Sequence, residues 1–231
     1  MTGACTGVNE RAVRGANLPY QTVHLHPKSH AGYYPGAVNI TLKLVFNPVD
    51  GHIYGAQAIG EDMVEKRIDV IATALQAGIT VHDLAELELC YAPPFGSAKD
   101  PVNYAGMIAQ NIMEGIVKSA PWQQVLEMMH DDSVFFLDVR KEDEVTEQGK
   151  LHDKAYNIPV DELRERVNEV PTDKKILVSC VSGQRAYYAA RTLMQLGYDV
   201  TNFSGAYTIW RVHGQKLAQK QKEVDSHVMK G

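Results

Sequence analysis

Along the first half of the chain, the period of the apolar positions changes in a definite order. Over residues 22–25 and 40–46, apolar and β-branched residues alternate with polar ones, the period-two pattern of half-buried strands. Asn47-Pro48-Val49-Asp50-Gly51 is dense in turn formers, so residues 52–59 are expected to return as the second strand of an antiparallel hairpin. Between residues 62 and 77, Met63, Ile68, Ile71, Ala72 and Leu75 share one helical stripe that stops at Gly78, and Thr80 caps a short helix towards Leu87. The prolines of Tyr91-Ala92-Pro93-Pro94-Phe95-Gly96-Ser97 forbid a helix and predict an ordered loop. Asp100-Pro101 then offers an N-cap followed by proline at the first helical position, which predicts a helix over residues 101–113.

The second half has a different grain. Residues 115–120 read as a short linker, and Pro121-Trp122 opens an amphipathic helix through Met129. After it come short apolar runs at 134–137, 176–178 and 200–203, separated by helical segments, the alternation of a parallel sheet. The expected fold is therefore an α+β domain over residues 1–114, an antiparallel sheet with helices, followed by an α/β domain over residues 121–218, a parallel sheet flanked by helices.

Size and composition narrow the chemistry. A chain of 231 residues with 45% hydrophobic and 22% charged residues can bury two modest cores. A net charge of -5 lacks the clustered Lys and Arg that nucleic acid or an anionic membrane would demand, so neither is an expected partner. No apolar run approaches the roughly 20 residues of a membrane helix, the first residues lack the pattern of a signal peptide, and a cytoplasmic protein is expected. The three cysteines, Cys5, Cys90 and Cys180, are odd in number and widely spaced, which suggests neither a disulfide framework nor a metal site. No repeat and no low-complexity tract interrupts the pattern.

Chemistry concentrates at one cysteine. The buried-type strand Lys174-Lys175-Ile176-Leu177-Val178-Ser179 delivers the chain into Cys180-Val181-Ser182-Gly183-Gln184-Arg185, and a helix with apolar positions at Ala186, Ala189, Ala190, Leu193, Met194 and Leu196 follows, ending at Gly197. A strand, a tight loop and a helix place Cys180 at the carboxyl end of a strand, where open α/β sheets bind ligands. A loop this tight turns backbone N–H groups inward, and the helix N-terminus adds positive potential, so an anion is favoured at the sulfur. Arg185 adds a permanent charge, Ser182 a hydroxyl donor, and Gly183 the freedom to take a positive φ or a close approach. The expectation is a nucleophilic, negatively charged and accessible thiolate. A structural buried thiol is the alternative. Phosphatase chemistry is a third reading, but that loop has five residues between Cys and Arg and this one has four.

The loop resembles that of the rhodanese family, as do Phe136-Leu137-Asp138-Val139-Arg140, Tyr156-Asn157-Ile158-Pro159 and Phe203-Ser204-Gly205-Ala206-Tyr207 with Trp210 close behind. One segment departs: Gly149-Lys150-Leu151-His152-Asp153-Lys154-Ala155 stands where a Gly-His-Ile-Pro-Gly-Ala type segment is usual. The resemblance implies a sulfur atom accepted by Cys180, held as a persulfide by the loop formed by Val181, Ser182, Gly183 and Gln184 with Arg185, and passed to a thiol or similar acceptor. Asp138 and Arg140 read as a structural ion pair beneath the loop, and Tyr207 and Trp210 as packing residues.

Residues 6–113 resemble the dimerisation domain of the pyridine nucleotide-disulfide oxidoreductases, in the coenzyme A-disulfide reductase and persulfide reductase branch. The stretches that carry this are Thr6-Gly7-Val8-Asn9-Glu10, Ser29-His30-Ala31-Gly32-Tyr33-Tyr34-Pro35-Gly36-Ala37, Lys66-Arg67-Ile68-Asp69-Val70 and Leu89-Cys90-Tyr91-Ala92-Pro93-Pro94-Phe95-Gly96-Ser97. The resemblance implies a homodimer in which Tyr33, Tyr34 and Tyr91 reach the partner subunit's active site. A phenol there can hand a hydrogen bond or proton to a leaving sulfur, while packing of the loop is the alternative role. Cys90, between an apolar helix and a rigid loop, is expected to be a buried thiol, and Cys5 to carry no chemistry.

In that family the reductases are flavoproteins using FAD, NAD(P)H and coenzyme A. The Gly-x-Gly-x-x-Gly turn of a dinucleotide site occurs nowhere in this sequence, so this chain alone is expected to bind none of these cofactors and no metal. It is expected to correspond to the C-terminal half of a larger reductase. Three functions remain in view: a sulfurtransferase that accepts sulfur from coenzyme A persulfide, polysulfide or thiosulfate; a non-catalytic dimerisation and binding module; and an oxidoreductase active only beside a flavin domain.

Overall fold

The computed structural model describes residues 1–214, so the last few residues of the expected second domain, 215–218, lie outside the described residues. The chain separates into two compact units, with the division between Ile116 and Val117.

In the first unit the strands are β1 (Thr2–Gly7), β2 (Gln21–Leu25), β3 (Ile40–Phe46) and β4 (Ile53–Gly60), and the helices α1 (Glu10–Gly15), α2 (Val64–Gln76), α3 (Val81–Glu86) and α4 (Pro101–Met113). The sheet order is β1-β4-β3-β2 and every pair is antiparallel. The hairpin β3–β4 and all of α2 to α4 follow from the sequence pattern. β1 and α1 do not, because β1 is an edge strand of small and polar residues with no face fully buried. Ile40, Leu42, Leu44, Phe46, Ile68, Ile71, Leu84 and Val102 fill the space between sheet and helices.

Local capping fixes the helix starts. Thr80 and Asp83 form a reciprocal box, with the Thr80 amide donating to Asp83 Oδ2 at 2.9 Å. Asp100 Oδ1 accepts from the Val102 amide at 3.1 Å, and Arg67, 1% exposed, donates to Asp100 Oδ2 at 2.9 Å and to the Ser29 carbonyl at 2.7 Å. This buried cation is thereby paired and hydrogen-bonded at both ends, the condition for tolerating it inside.

The second unit holds a parallel sheet of β5 (Lys118–Ala120), β6 (Val134–Asp138), β7 (Tyr156–Asn157), β8 (Lys175–Ser179) and β9 (Val200–Phe203), in the order β5-β9-β8-β6-β7. The helices are α5 (Trp122–Met128), α6 (Glu142–Gln148), α7 (Gln184–Gln195) and α8 (Ala206–Ile209). Residues 118–120, read as linker from their composition, are a strand: three residues carry no period, and only pairing with β9 makes them one. Central strand β8 has Ile176, Leu177 and Val178 all fully buried, which is why its apolar run is continuous rather than alternating. Helix α7 turns Ala186, Ala189, Ala190 and Leu193 to the interior. Among the described residues no helix is long and apolar enough to cross a membrane.

Candidate active site

Cys180 is the first residue beyond β8, and the chain turns at once into α7. Gly183, at φ +99, is the N-cap of that helix and provides no side-chain cap. The sulfur takes the cap's place: Cys180 Sγ accepts from the Gly183 amide at 3.1 Å and from the Ala186 amide at 3.4 Å. The inward N–H groups expected of the loop are there, at the positive end of a 12-residue helix.

A second segment clamps the loop from the far side. The Tyr207 amide donates to the Cys180 carbonyl at 3.0 Å, and both the amide and hydroxyl of Thr208 donate to the Val181 carbonyl, at 3.0 and 2.9 Å. The loop is thus held by the start of α8, a contact between residues some 27 positions apart that no local sequence signal announces.

One expectation needs correction here. Cys180 is 1% exposed rather than accessible, its sulfur turned to the helix amides, while Val181, Ser182 and Gly183 are partly exposed. Arg185, expected as a permanent charge, is a paired one. Its Nη1 and Nη2 donate to the two carboxylate oxygens of Glu144 at 2.6 and 2.8 Å, a fork on a fork. Glu144, in the first turn of α6, also accepts from the Lys141 amide at 3.0 Å. The hydrogen bonds from Arg185 come first among the causes that hold its carboxyl down to about 2, against a usual 4.5. Arg185 is raised in turn, first by Glu144 and to a lesser degree by negative charge on Cys180. Gln184 is exposed and donates to the Tyr188 hydroxyl at 2.8 Å.

Asp138 and Arg140 form the buried pair that the pattern suggested, with Nη2 to Oδ2 at 2.6 Å and Nε to both carboxylate oxygens at 3.0 Å. Arg140 further donates to the Gly149 carbonyl at 2.8 Å and lies 4.3 Å over the Tyr207 ring. Tyr207 and Trp210 are each 3% exposed, in the core. In the departing segment, Leu151 and Ala155 are buried and His152 stacks on Phe136 with ring centroids 4.3 Å apart. The segment is repacked with an apolar and an aromatic anchor instead of proline and glycine turns.

In the first unit, Tyr33 and Tyr91 meet through their hydroxyls at 2.9 Å, 58 residues apart in sequence. The hydrogen bond with Tyr33 is the main reason the Tyr91 phenol is raised above its usual range. Tyr34 stands apart from this pair, edge-on to His30 with centroids 5.7 Å apart. Cys90 is exposed, contrary to the buried thiol expected, because α3 ends at Glu86 and residues 87–92 leave the surface of the helices unwound. Cys5 is exposed as well, and all three cysteines are free.

The described residues do not form a dinucleotide site. The sheet of the first unit is antiparallel, with no parallel strand–turn–helix unit, and in the second unit the amides at the start of α7 are taken by the Cys180 sulfur. Among the described residues no group of three His, Cys, Asp or Glu side chains gathers as a metal site would require. Glu144 is the site residue that sequence reasoning missed. An acidic residue in a helix's first turn is ordinary, and nothing in the run Glu142-Asp143-Glu144 announces a partner 41 residues away.

Comparison with known proteins agrees with this arrangement. The family description "pyridine nucleotide-disulphide oxidoreductase, dimerisation domain" matches residues 1–101, and "rhodanese-like domain" matches residues 121–213. The coenzyme A disulfide reductase of Staphylococcus haemolyticus is 42% identical over 96 residues, covering 42% of this chain and 22% of that protein. The crystal structure of reduced Bacillus anthracis CoADR-RHD is 48% identical with a TM-score of 0.87, and a NAD-dependent persulfide reductase from A. fulgidus is 39% identical with a TM-score of 0.81. Each of these two structures is matched over 90% of this chain and 37% of its own length, so the chain spans about a third of them. The chain thus joins a region matching the pyridine nucleotide-disulphide oxidoreductase dimerisation domain to one matching the rhodanese-like domain, and it is similar to the C-terminal part of coenzyme A disulfide reductases and persulfide reductases.

Proposed function

We propose that this chain carries sulfur as a persulfide on Cys180, as the sulfurtransferase part of a flavin-dependent coenzyme A-disulfide, persulfide or polysulfide reductase. The observation that carries the reading is the sulfur cradle: Sγ receives two helix-terminal amides, at 3.1 and 3.4 Å, in the loop of Val181, Ser182, Gly183 and Gln184. Amides in that position stabilise negative charge on a sulfur without themselves being proton donors in the reaction. In the loading step the Cys180 thiolate attacks a donor's sulfane sulfur, a new S–S bond forms, the donor's bond to that sulfur breaks, and its electron pair departs with the remaining thiolate, shortened polysulfide or sulfite. An acceptor thiolate then attacks the outer sulfur and returns Cys180 as thiolate.

Burial of Cys180 limits the donor to one that presents a slim terminal sulfur. Coenzyme A persulfide, polysulfide and thiosulfate all have that shape at the reacting end. The same burial is the observation that favours the second reading, a non-catalytic dimerisation and binding module. Mass spectrometry of the intact chain after incubation with each donor separates them. The expected result is a gain of one sulfur atom, reversed by a thiol or cyanide and lost in Cys180→Ala. A chain that gains none, or a variant that gains as much, ends the sulfur-carrier reading.

The first unit is read as the dimer-forming part. Tyr33, Tyr91 and Phe95 are 77%, 48% and 60% exposed, an aromatic surface of the kind interfaces cover. In a dimer Tyr33, Tyr34 and Tyr91 are candidates to serve the partner subunit's thiol and flavin site. Three unpaired thiols, two of them exposed, suit a reducing compartment such as the cytoplasm.

A further inference from the structure

We propose that Glu144 selects the sulfur donor: by closing on Arg185 it withholds the guanidinium from donors that depart as a dianion and leaves Cys180 to donors that depart as a monoanionic thiolate. The inference rests on the sulfur-carrier reading above and goes beyond it, to the donor class.

The two donor classes make different demands on the same cradle. With thiosulfate, the Cys180 thiolate bonds to the sulfane sulfur, the bond to the sulfonate breaks, and its electron pair departs with sulfite, a dianion. With the persulfide of a small thiol, the thiolate bonds to the protonated terminal sulfur, the proton stays with the transferred sulfur, and the pair departs on a monoanionic thiolate. The amides of Gly183 and Ala186 suffice for the negative charge held on sulfur at position 180. A departing dianion needs a cation beside it as well.

Arg185 is the cation in the loop, and both of its terminal nitrogens are engaged by Glu144 at 2.6 and 2.8 Å. The nearby Arg140 is committed to Asp138 and to the Gly149 carbonyl, and is fully buried. Glu144 is itself pinned, because the Lys141 amide holds one of its oxygens. The pair is partly exposed, 30% for Arg185 and 26% for Glu144, so solute can reach it from solvent. A dianion arriving there must part a two-pronged, charge-assisted contact and then lie beside the displaced carboxylate. A thiol persulfide meets neither obstacle.

The test is single-turnover loading of the full chain, followed by mass spectrometry over a range of donor concentrations, with thiosulfate and with the persulfide of 2-mercaptoethanol as the two probes. Glu144→Gln keeps the size and one acceptor oxygen but frees the guanidinium. Its ratio of loading efficiency, thiosulfate over persulfide, is expected to rise about tenfold, the scale of one charge-assisted contact no longer competing. The gain should come through a lower half-saturating concentration of thiosulfate and shrink with added salt. Glu144→Asp, charged but too short for both prongs, is expected to fall between. A merely structural role for Glu144 would change both donors by the same factor, and that outcome, or a fall in the ratio, overturns the proposal while leaving the carrier reading intact. A wild-type chain that loads from neither donor overturns the carrier reading itself.

Discussion

At the scale of single residues, the site is governed by how charges are compensated. Arg140 and Asp138 are fully buried and satisfy one another, with the Gly149 carbonyl and the Tyr207 face completing the guanidinium's surroundings. Removing either partner would strand a buried charge, which costs about 3–5 kcal/mol in comparable pairs. The Glu144–Arg185 pair differs because it is partly exposed, so its worth depends on pH and salt. Arg185 holds the Glu144 carboxyl down to about 2 in the folded chain, against a usual 4.5. A carboxyl depressed by folding contributes stability that is complete above its unfolded value and disappears as pH falls from there through the folded value. The stability advantage of the wild type over Glu144→Gln is therefore expected to be full near neutral pH and to shrink as pH drops from 4.5 towards about 2, as read by urea unfolding at a series of pH values.

At the scale of elements, backbone geometry places the chemistry. Strand β8 is buried on both faces and ends at Ser179, so Cys180 is fixed where the sheet stops and α7 begins. Gly183 reverses the chain with a positive φ, and α8 ties the loop's two carbonyls down. In the first unit the comparable constraint is the approach of α3 to α4. A Cβ on Gly106 would lie 2.5 Å from the Ala85 nitrogen and 2.8 Å from the Val81 carbonyl oxygen, both backbone atoms that cannot rotate aside. Gly106→Ala is expected to force the helices apart and lower stability by about 1–3 kcal/mol, visible as a drop in the denaturant midpoint, despite alanine's better helix propensity. An unchanged or raised midpoint would show that the two helices separate without penalty.

For the whole molecule, the two units divide the labour. The second contains the hydrogen bonds around Cys180, from β8 through α8. The first unit presents exposed aromatics and carries the match to a dimerisation domain. Light scattering at micromolar concentration is expected to give a mass twice that of the chain. Tyr33→Lys and Phe95→Lys together are expected to shift it towards the single chain by placing charge on a desolvated patch. A single-chain mass for the wild type would remove the dimer from the reading.

Much of this was legible in the residues. The antiparallel hairpin, the helices α2 and α4 with their Gly78 stop and Asp100-Pro101 start, and the strand–loop–helix around Cys180 are all encoded within a dozen neighbouring positions, where hydrophobic period and caps act directly. The four residues between Cys180 and Arg185, against five in a phosphatase loop, were equally open to reading in the chain, and they ground the sulfur-carrier proposal. The tertiary structure alone decided that Lys118–Ala120 is a strand, that Cys90 is exposed and Cys180 buried, that Tyr33 meets Tyr91 and not Tyr34, and that Arg185 belongs to Glu144. Each of these depends on groups brought together from distant positions, and a side chain's charge, burial and partner are properties of the space around it, which local sequence order does not carry.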